Sequence, residues 1–132
     1  MRSLSFCESP PMSFMLLIHE PVGQRATRSE AEGRAAYAAM VAFGERLAAQ
    51  GKLKAVESLA GLDGAVRVSH ANGQAQTLDG PFAEAKEMIG GFFLLQNVTR
   101  DEAIAFAHAC PAAQWCTVEV RALAPCYDES RA

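Results

Sequence analysis

Asp79-Gly80-Pro81-Phe82-Ala83-Glu84-Ala85-Lys86-Glu87-Met88-Ile89-Gly90-Gly91-Phe92 is the stretch on which the fold of this chain turns. Asp79 and Gly80 are turn formers, and an Asp side chain can bond the backbone downstream of it. Pro81 suits the first position of a helix, where its missing N–H costs nothing. With Asp79 or Gly80 as the cap, the order predicts a short helix from Pro81 to about Met88. Glu84 then sits near its start, where the helix dipole favours an anion. Gly90 and Gly91 read as the helix stop, with an apolar strand after them. Phe82 is the only large apolar residue between Leu78 and Met88, so it is expected to anchor the segment to the body. Glu84, Lys86 and Glu87 form a charged face whose default reading is solvated or in an intersubunit ion pair.

Upstream, Val66 and Val68 alternate with Arg67 and Ser69, the mark of a half-buried strand. Asn72-Gly73 is a hairpin turn signal, and Ala75 to Leu78 returns the chain to Asp79. Leu53 to Leu59 reads as the preceding strand. Ser29 and Glu32 make a capping box, opening a helix that Gly51 stops. Its stripe is Tyr37, Met40, Val41, Gly44, Leu47 and Ala48. Ser13 to His19 is an apolar strand closed by Pro21 and Gly23. Downstream, Gly91 to Asn97 reads as a strand. Thr99 with Glu102 opens a second helix, which Pro111 ends, with Ala103, Phe106, Ala107 and Cys110 on one face. Thr117 to Leu123 is the last strand. Leaving out the hairpin, the order is β-α-β-β-α-β, an α+β class chain on the ferredoxin-like plan. Residues 1–12 read as a flexible N-terminal tail, 13–123 as the domain and 124–132 as a C-terminal tail. Met12 is a candidate for the true start.

Phe14 to Ile18 and Phe92 to Leu95 are apolar on both strand faces, a pattern of strands buried on both sides. Two helices cover one face only. Leaving about four such side chains in water would forfeit roughly 6–12 kcal/mol, comparable to the ~5–15 kcal/mol stability of a whole domain. A homodimer that buries the second face is therefore expected.

The 132 residues make one domain by length. Lys and Arg number 12 against 15 Asp and Glu, a net charge of −3, with no basic stripe, which disfavours nucleic acid. No apolar run approaches the ~20 residues of a membrane span, so no membrane partner is expected. The N-terminus makes a poor signal peptide, and a cytoplasmic location fits best. Of Cys7, Cys110, Cys116 and Cys126, none forms a Cys-x-x-Cys pair. The three histidines show no metal-ligand spacing. Glycine-rich nucleotide loops and a Gly-x-Ser-x-Gly elbow are absent from the sequence, so no metal and no cofactor is expected.

The stretch from Asp79 to Phe92, with Ala85 where Thr is usual, resembles the signature of the DGPF, or YCII-related, family. Phe14 to His19 and Thr117 to Arg121 also resemble members of it, so the likeness covers Ser13 to Leu123. The resemblance implies a dimeric α+β barrel, in which two ferredoxin-like sheets pack face to face. It implies no single reaction. Some YCII-type relatives are regarded as enzymes with a His–Asp pair, and one branch includes a dehydrochlorinase acting on an aromatic ring. In that branch the His lies on the first helix, where this chain has Tyr37 and Met40 and no histidine. Family gene neighbourhoods imply a regulatory setting, with a sigma factor as partner.

His19, at the end of the first strand, is the leading candidate for acid–base work, because strand ends beside a cleft gather small-molecule sites. Asp79 is its expected partner. Gly80, Pro81, Phe82, Glu84, Lys86 and Glu87 complete the candidate ligand-binding or motif set. The leading expectation is a small-molecule-binding or regulatory homodimer with a cleft near the end of the first strand. The rivals are a lyase or isomerase using His19 and Asp79, and a partner-binding protein in the sigma-factor setting.

Overall fold

The computed structural model describes residues 12–127. The expected N-terminal tail, apart from Met12, lies outside the described residues, as do Cys7 and the end of the C-terminal tail from residue 128.

Eight main elements follow one another: β1 (Met12–Pro21), α1 (Glu30–Ala49), β2 (Leu53–Ser58), β3 (Val66–Ala71), β4 (Gln74–Asp79), β5 (Glu87–Val98), α2 (Arg100–Ala109) and β6 (Thr117–Ala122). Short 3-10 turns occur at Arg25–Thr27, Leu62–Gly64 and Pro111–Gln114. The main sheet has the order β2-β5-β1-β6, and each neighbouring pair is antiparallel. β3 and β4 form a separate two-stranded ribbon. This is an α+β chain with two helices and an antiparallel sheet, compatible with the ferredoxin-like plan.

Both helices open on capping boxes. Ser29 Oγ accepts from the Glu32 amide at 3.1 Å while the Ser29 amide donates to Glu32 Oε1 at 2.8 Å. Thr99 and Glu102 repeat the arrangement. Each box satisfies two amides that the helix itself leaves unpaired. α1 buries Phe43, Gly44 and Leu47 against the sheet, and the Phe43 and Phe93 rings meet edge to face at 5.1 Å. Tyr37, Val41 and Ala48, expected on the buried stripe, are instead exposed. Met40, Gly44 and Leu47 keep the inward stripe, and Phe43 joins it through its edge-to-face contact with Phe93.

Alternate residues of β1, Phe14, Leu16, Ile18 and Glu20, point into the layer between sheet and helices. Phe93, Leu95, Ala103, Ala107 and Cys110 complete that core. The intervening Met15, Leu17, Phe92 and Leu94 are half-buried on the other sheet face, which carries no helix.

One expectation is corrected. Pro81 to Met88 is not a helix. Ala83 and Glu84 form a turn, closed by the Ala85 amide on the Phe82 carbonyl at 2.9 Å, and β5 already begins at Glu87. The Gly80–Pro81 bond is cis. Gly90 and Gly91 are buried inside β5 instead of ending a helix. A two-turn helix is marginal on its own, whereas Glu87 to Ile89 and Gly91 pair with β1, and the β2 side reaches Gly90 and Gly91, through the Leu59 amide on the Gly90 carbonyl and Ser58 opposite Gly91. The glycines serve close approach. A Cβ on Gly91 would lie 2.8 Å from the Glu57 carbonyl oxygen, and one on Gly90 would collide with the Glu20 carboxylate. Among the described residues no helix is long and apolar enough to cross a membrane.

Candidate functional site

A cavity of about 580 Å³ opens between α1 and the sheet, beside the end of β1. Its walls are mainly apolar: Met40, Val41 and Gly44 from α1, Val56 from β2, Leu59 just beyond it, and Phe93 from β5. Val41, Val56 and Leu59 are each about two-fifths exposed, at 42%, 41% and 42%, so apolar surface faces the opening.

The polar groups converge at the end nearest β1. Glu20 keeps the inward phase of Phe14, Leu16 and Ile18 and is 8% exposed. A carboxylate in that position requires a partner. The chain supplies one by turning at Pro21 to Gly23 into the 3-10 turn that carries Arg25. The turn is pinned by the Val22 amide on the Lys86 carbonyl at 2.9 Å. Arg25 Nε donates to Glu20 Oε2 at 2.7 Å and Nη2 to Oε1 at 2.9 Å, the two-pronged geometry that makes such pairs strong. The hydrogen bond that Arg25 donates to Glu20 raises the Arg25 pKa above its ordinary value, against the opposing effect of burial.

Gly90 makes this pair fit. β1 and β5 slip by one residue between Ile18 and His19, where β1 passes from Gly91 to Ile89. Gly90 is the extra residue of that bulge, a device found beside functional sites. Its missing side chain leaves the space that the Glu20 carboxylate fills.

Arg28 completes this end. Its guanidinium carbon lies 5.5 Å from the centroid of Trp115, and Nη2 donates to Gln24 Oε1 at 3.4 Å. Gln24 in turn donates to the Trp115 carbonyl at 2.8 Å. Nearby Cys116 has its pKa pushed up to about 11, first by burial and then by the Glu20 charge.

His19 lies on the other face of the sheet. Its Nε2 is 2.5 Å from Glu119 Oε1, and its Nδ1 is 3.9 Å from Glu87 Oε1. Glu119 also accepts from Arg121 Nη1 at 3.3 Å. The hydrogen bond with His19, and then Arg121, hold the Glu119 carboxyl below the ordinary range. Asp79 is exposed at the end of β4, opposite Val66. Among the described residues no hydrogen bond or ion pair joins it to His19; the partner of His19 is Glu119. Asp79 ends the ribbon, whose residues are all exposed, while His19 belongs to the main sheet.

The remaining motif residues are scattered around these two faces. Gly80 donates to the Ala65 carbonyl at 2.7 Å, and a Cβ there would collide with the Leu62 carbonyl. Pro81 is exposed. Phe82 is 5% exposed, with the Arg67 guanidinium carbon 3.7 Å from its ring centroid. Glu84 and Lys86 are exposed, and Glu87 approaches His19. Among the described residues no group of three His, Cys, Asp or Glu gathers as a metal site.

Sequence reasoning singled out neither Glu20 nor Arg25, Arg28 and Trp115. Glu20 had a signal: it continues the phase of an apolar strand, so a carboxylate had to point inward. Arg25 and Arg28 lie in an aperiodic loop and had none.

A family model, the YCII-related domain, matches residues 12–126. An uncharacterized protein of Rhizobium meliloti (strain 1021) is 42% identical over 57 residues, covering 43% of this chain and 46% of that protein. The chain thus spans a little under half the length of this relative. With the domain match running across almost the whole described chain, the protein belongs to the YCII-related family.

Proposed function

We propose that this protein binds a small molecule in the cavity between α1 and the sheet, and that it does so as a homodimer. The observation that carries the first half is the cavity itself: apolar walls with a few convergent polar groups, the usual composition of a small-molecule site. The Glu20–Arg25 pair supports the reading, because it sets hydrogen-bonded polar groups at one end of the apolar walls. The second half is supported by Met15, Leu17, Phe92 and Leu94, which form an apolar sheet face without a helix. Two such faces packed together make the barrel that the family resemblance implies.

Trp115 is the only tryptophan of the chain and lines the cavity. Its emission should shift on titration with a small aromatic ligand. Gly44→Leu should abolish that response, since a Cβ at Gly44 meets only ordinary contacts while the longer side chain enters the cavity. An unchanged response in Gly44→Leu would place binding elsewhere.

An enzymatic reading, a lyase or isomerase, has one supporting contact, the short hydrogen bond between His19 and Glu119. A carboxylate bonded to a histidine orients the ring for proton transfer. In that reading the partner of His19 is Glu119, and Asp79 has a structural role. Turnover of any substrate that survives in His19→Gln would exclude it.

A further inference from the structure

The charge at the β1 end of the cavity specifies what kind of ligand it would take, given that the cavity is a binding site as proposed above. Glu20 and Arg25 neutralise one another through two hydrogen bonds. Arg28 is different. It is half-buried, it lines the cavity, and among the described residues it makes no ion pair. Its one side-chain hydrogen bond is the long one to Gln24, although a guanidinium carries five donors. The guanidinium carbon lies over the Trp115 ring, 5.5 Å from its centroid, and a contact with a ring face uses none of the N–H donors, which leaves them for an anion.

Two other carboxylates line the cavity, and neither reaches Arg28. Glu45 is exposed on α1, and about 22 Å of helix separates it from Glu30 at the near end. Glu57 is paired with Phe92, on the opposite sheet face from Val56. The Arg28 end therefore carries a positive charge without an ion-pair partner among the described residues, beside an aromatic ring, and the rest of the wall is mainly apolar.

We propose that the ligand is a small organic anion: an aromatic or aliphatic body seated against Met40, Val56 and Phe93, with one carboxylate received by Arg28. A charge-assisted contact of this kind is worth roughly tenfold or more in affinity.

Matched probes test this on the full chain by calorimetry: 1-naphthoate and its neutral counterpart 1-naphthamide. The proposal expects naphthoate to bind at least about tenfold more tightly, with the difference shrinking as salt is added. Arg28→Gln should erase the preference, with the loss falling mainly on naphthoate. Gly44→Leu should lose both ligands. Equal affinity for the two probes, both lost in Gly44→Leu, would overturn the anion claim and leave the cavity reading standing. Failure of both probes to bind, or binding indifferent to Gly44→Leu, would overturn the cavity reading and this inference with it. Thermal melts of Arg28→Gln and Gly44→Leu confirm that each variant is folded.

Discussion

Gly90 and Glu20 occupy one space, and the sequence of each makes sense only beside the other. A Cβ at Gly90 must displace the carboxylate that Arg25 holds. Gly90→Ala is therefore expected to destabilise the fold by about 1–3 kcal/mol, the usual cost of overpacking. In a Glu20→Ala background the same change should cost much less, because the obstacle is gone. Urea melts of the double-mutant cycle check this, and additive effects would count against the shared space. On the other sheet face, Glu119 titrates below the ordinary carboxylate range in the folded chain because His19 and Arg121 bond its charged form. A group whose folded pKa is depressed adds stability above its unfolded pKa and loses it as pH falls through the folded value. Wild type should thus exceed Glu119→Gln in stability at neutral pH, and the two should converge as the medium is acidified below the ordinary carboxylate pKa. Melting temperatures measured down that range supply the test; a difference that persists unchanged in acid would contradict it.

The segment between β4 and β5 is held by its residues and not by a helix. The Gly80 amide bonds Ala65, the Phe82 carbonyl closes a turn with Ala85, and Lys86 receives Val22. Phe82 is buried beneath Arg67, so the turn and the β3–β4 ribbon share one contact. A two-stranded ribbon is at best marginally stable alone, which gives this contact more weight than its size suggests. Phe82→Ala is expected to cost about 3–5 kcal/mol, the range for a buried phenylalanine. Asp79→Asn should cost less, since Asn also supports turns. Thermal melts rank the two, and a Phe82→Ala protein as stable as wild type would remove Phe82 from the anchoring role.

At the scale of the molecule, the sheet has one face under two helices and one face bare. Met15, Leu17, Phe92 and Leu94 lie on the bare face, with His19, Glu119 and Arg121 at its edge. In the proposed dimer a charge at the centre of this face would be buried without a partner, at a cost of several kcal/mol. Leu17→Asp should shift sedimentation from dimer to monomer at micromolar concentration. A wild-type chain that sediments as a monomer would withdraw the dimer.

The amino-acid sequence by itself determined the elements that local chemistry specifies. Ser29 with Glu32 and Thr99 with Glu102 opened the helices through contacts three residues apart. Asn72-Gly73 turned the hairpin, both residues taking positive φ. The unbroken apolar run of β1 marked it as a strand, and the Asp79–Phe92 stretch identified the family. Tertiary structure alone decided three things. Pro81 to Met88 carries helix-start chemistry, yet Glu87 to Gly91 became strand because β1 pairs along it and the β2 side meets its last two residues, hydrogen bonds that a short helix could not match. His19 took Glu119 as its partner because β6, 100 residues away in sequence, pairs with β1. The cavity joins Glu20, Arg25, Arg28 and Trp115 because the antiparallel sheet and α1 bring a strand end, a loop and a distant turn to one place. Contacts within a few residues follow from chain geometry, and these are the ones a sequence displays. Contacts across the sheet depend on which ladders form, and that is a property of the folded molecule as a whole.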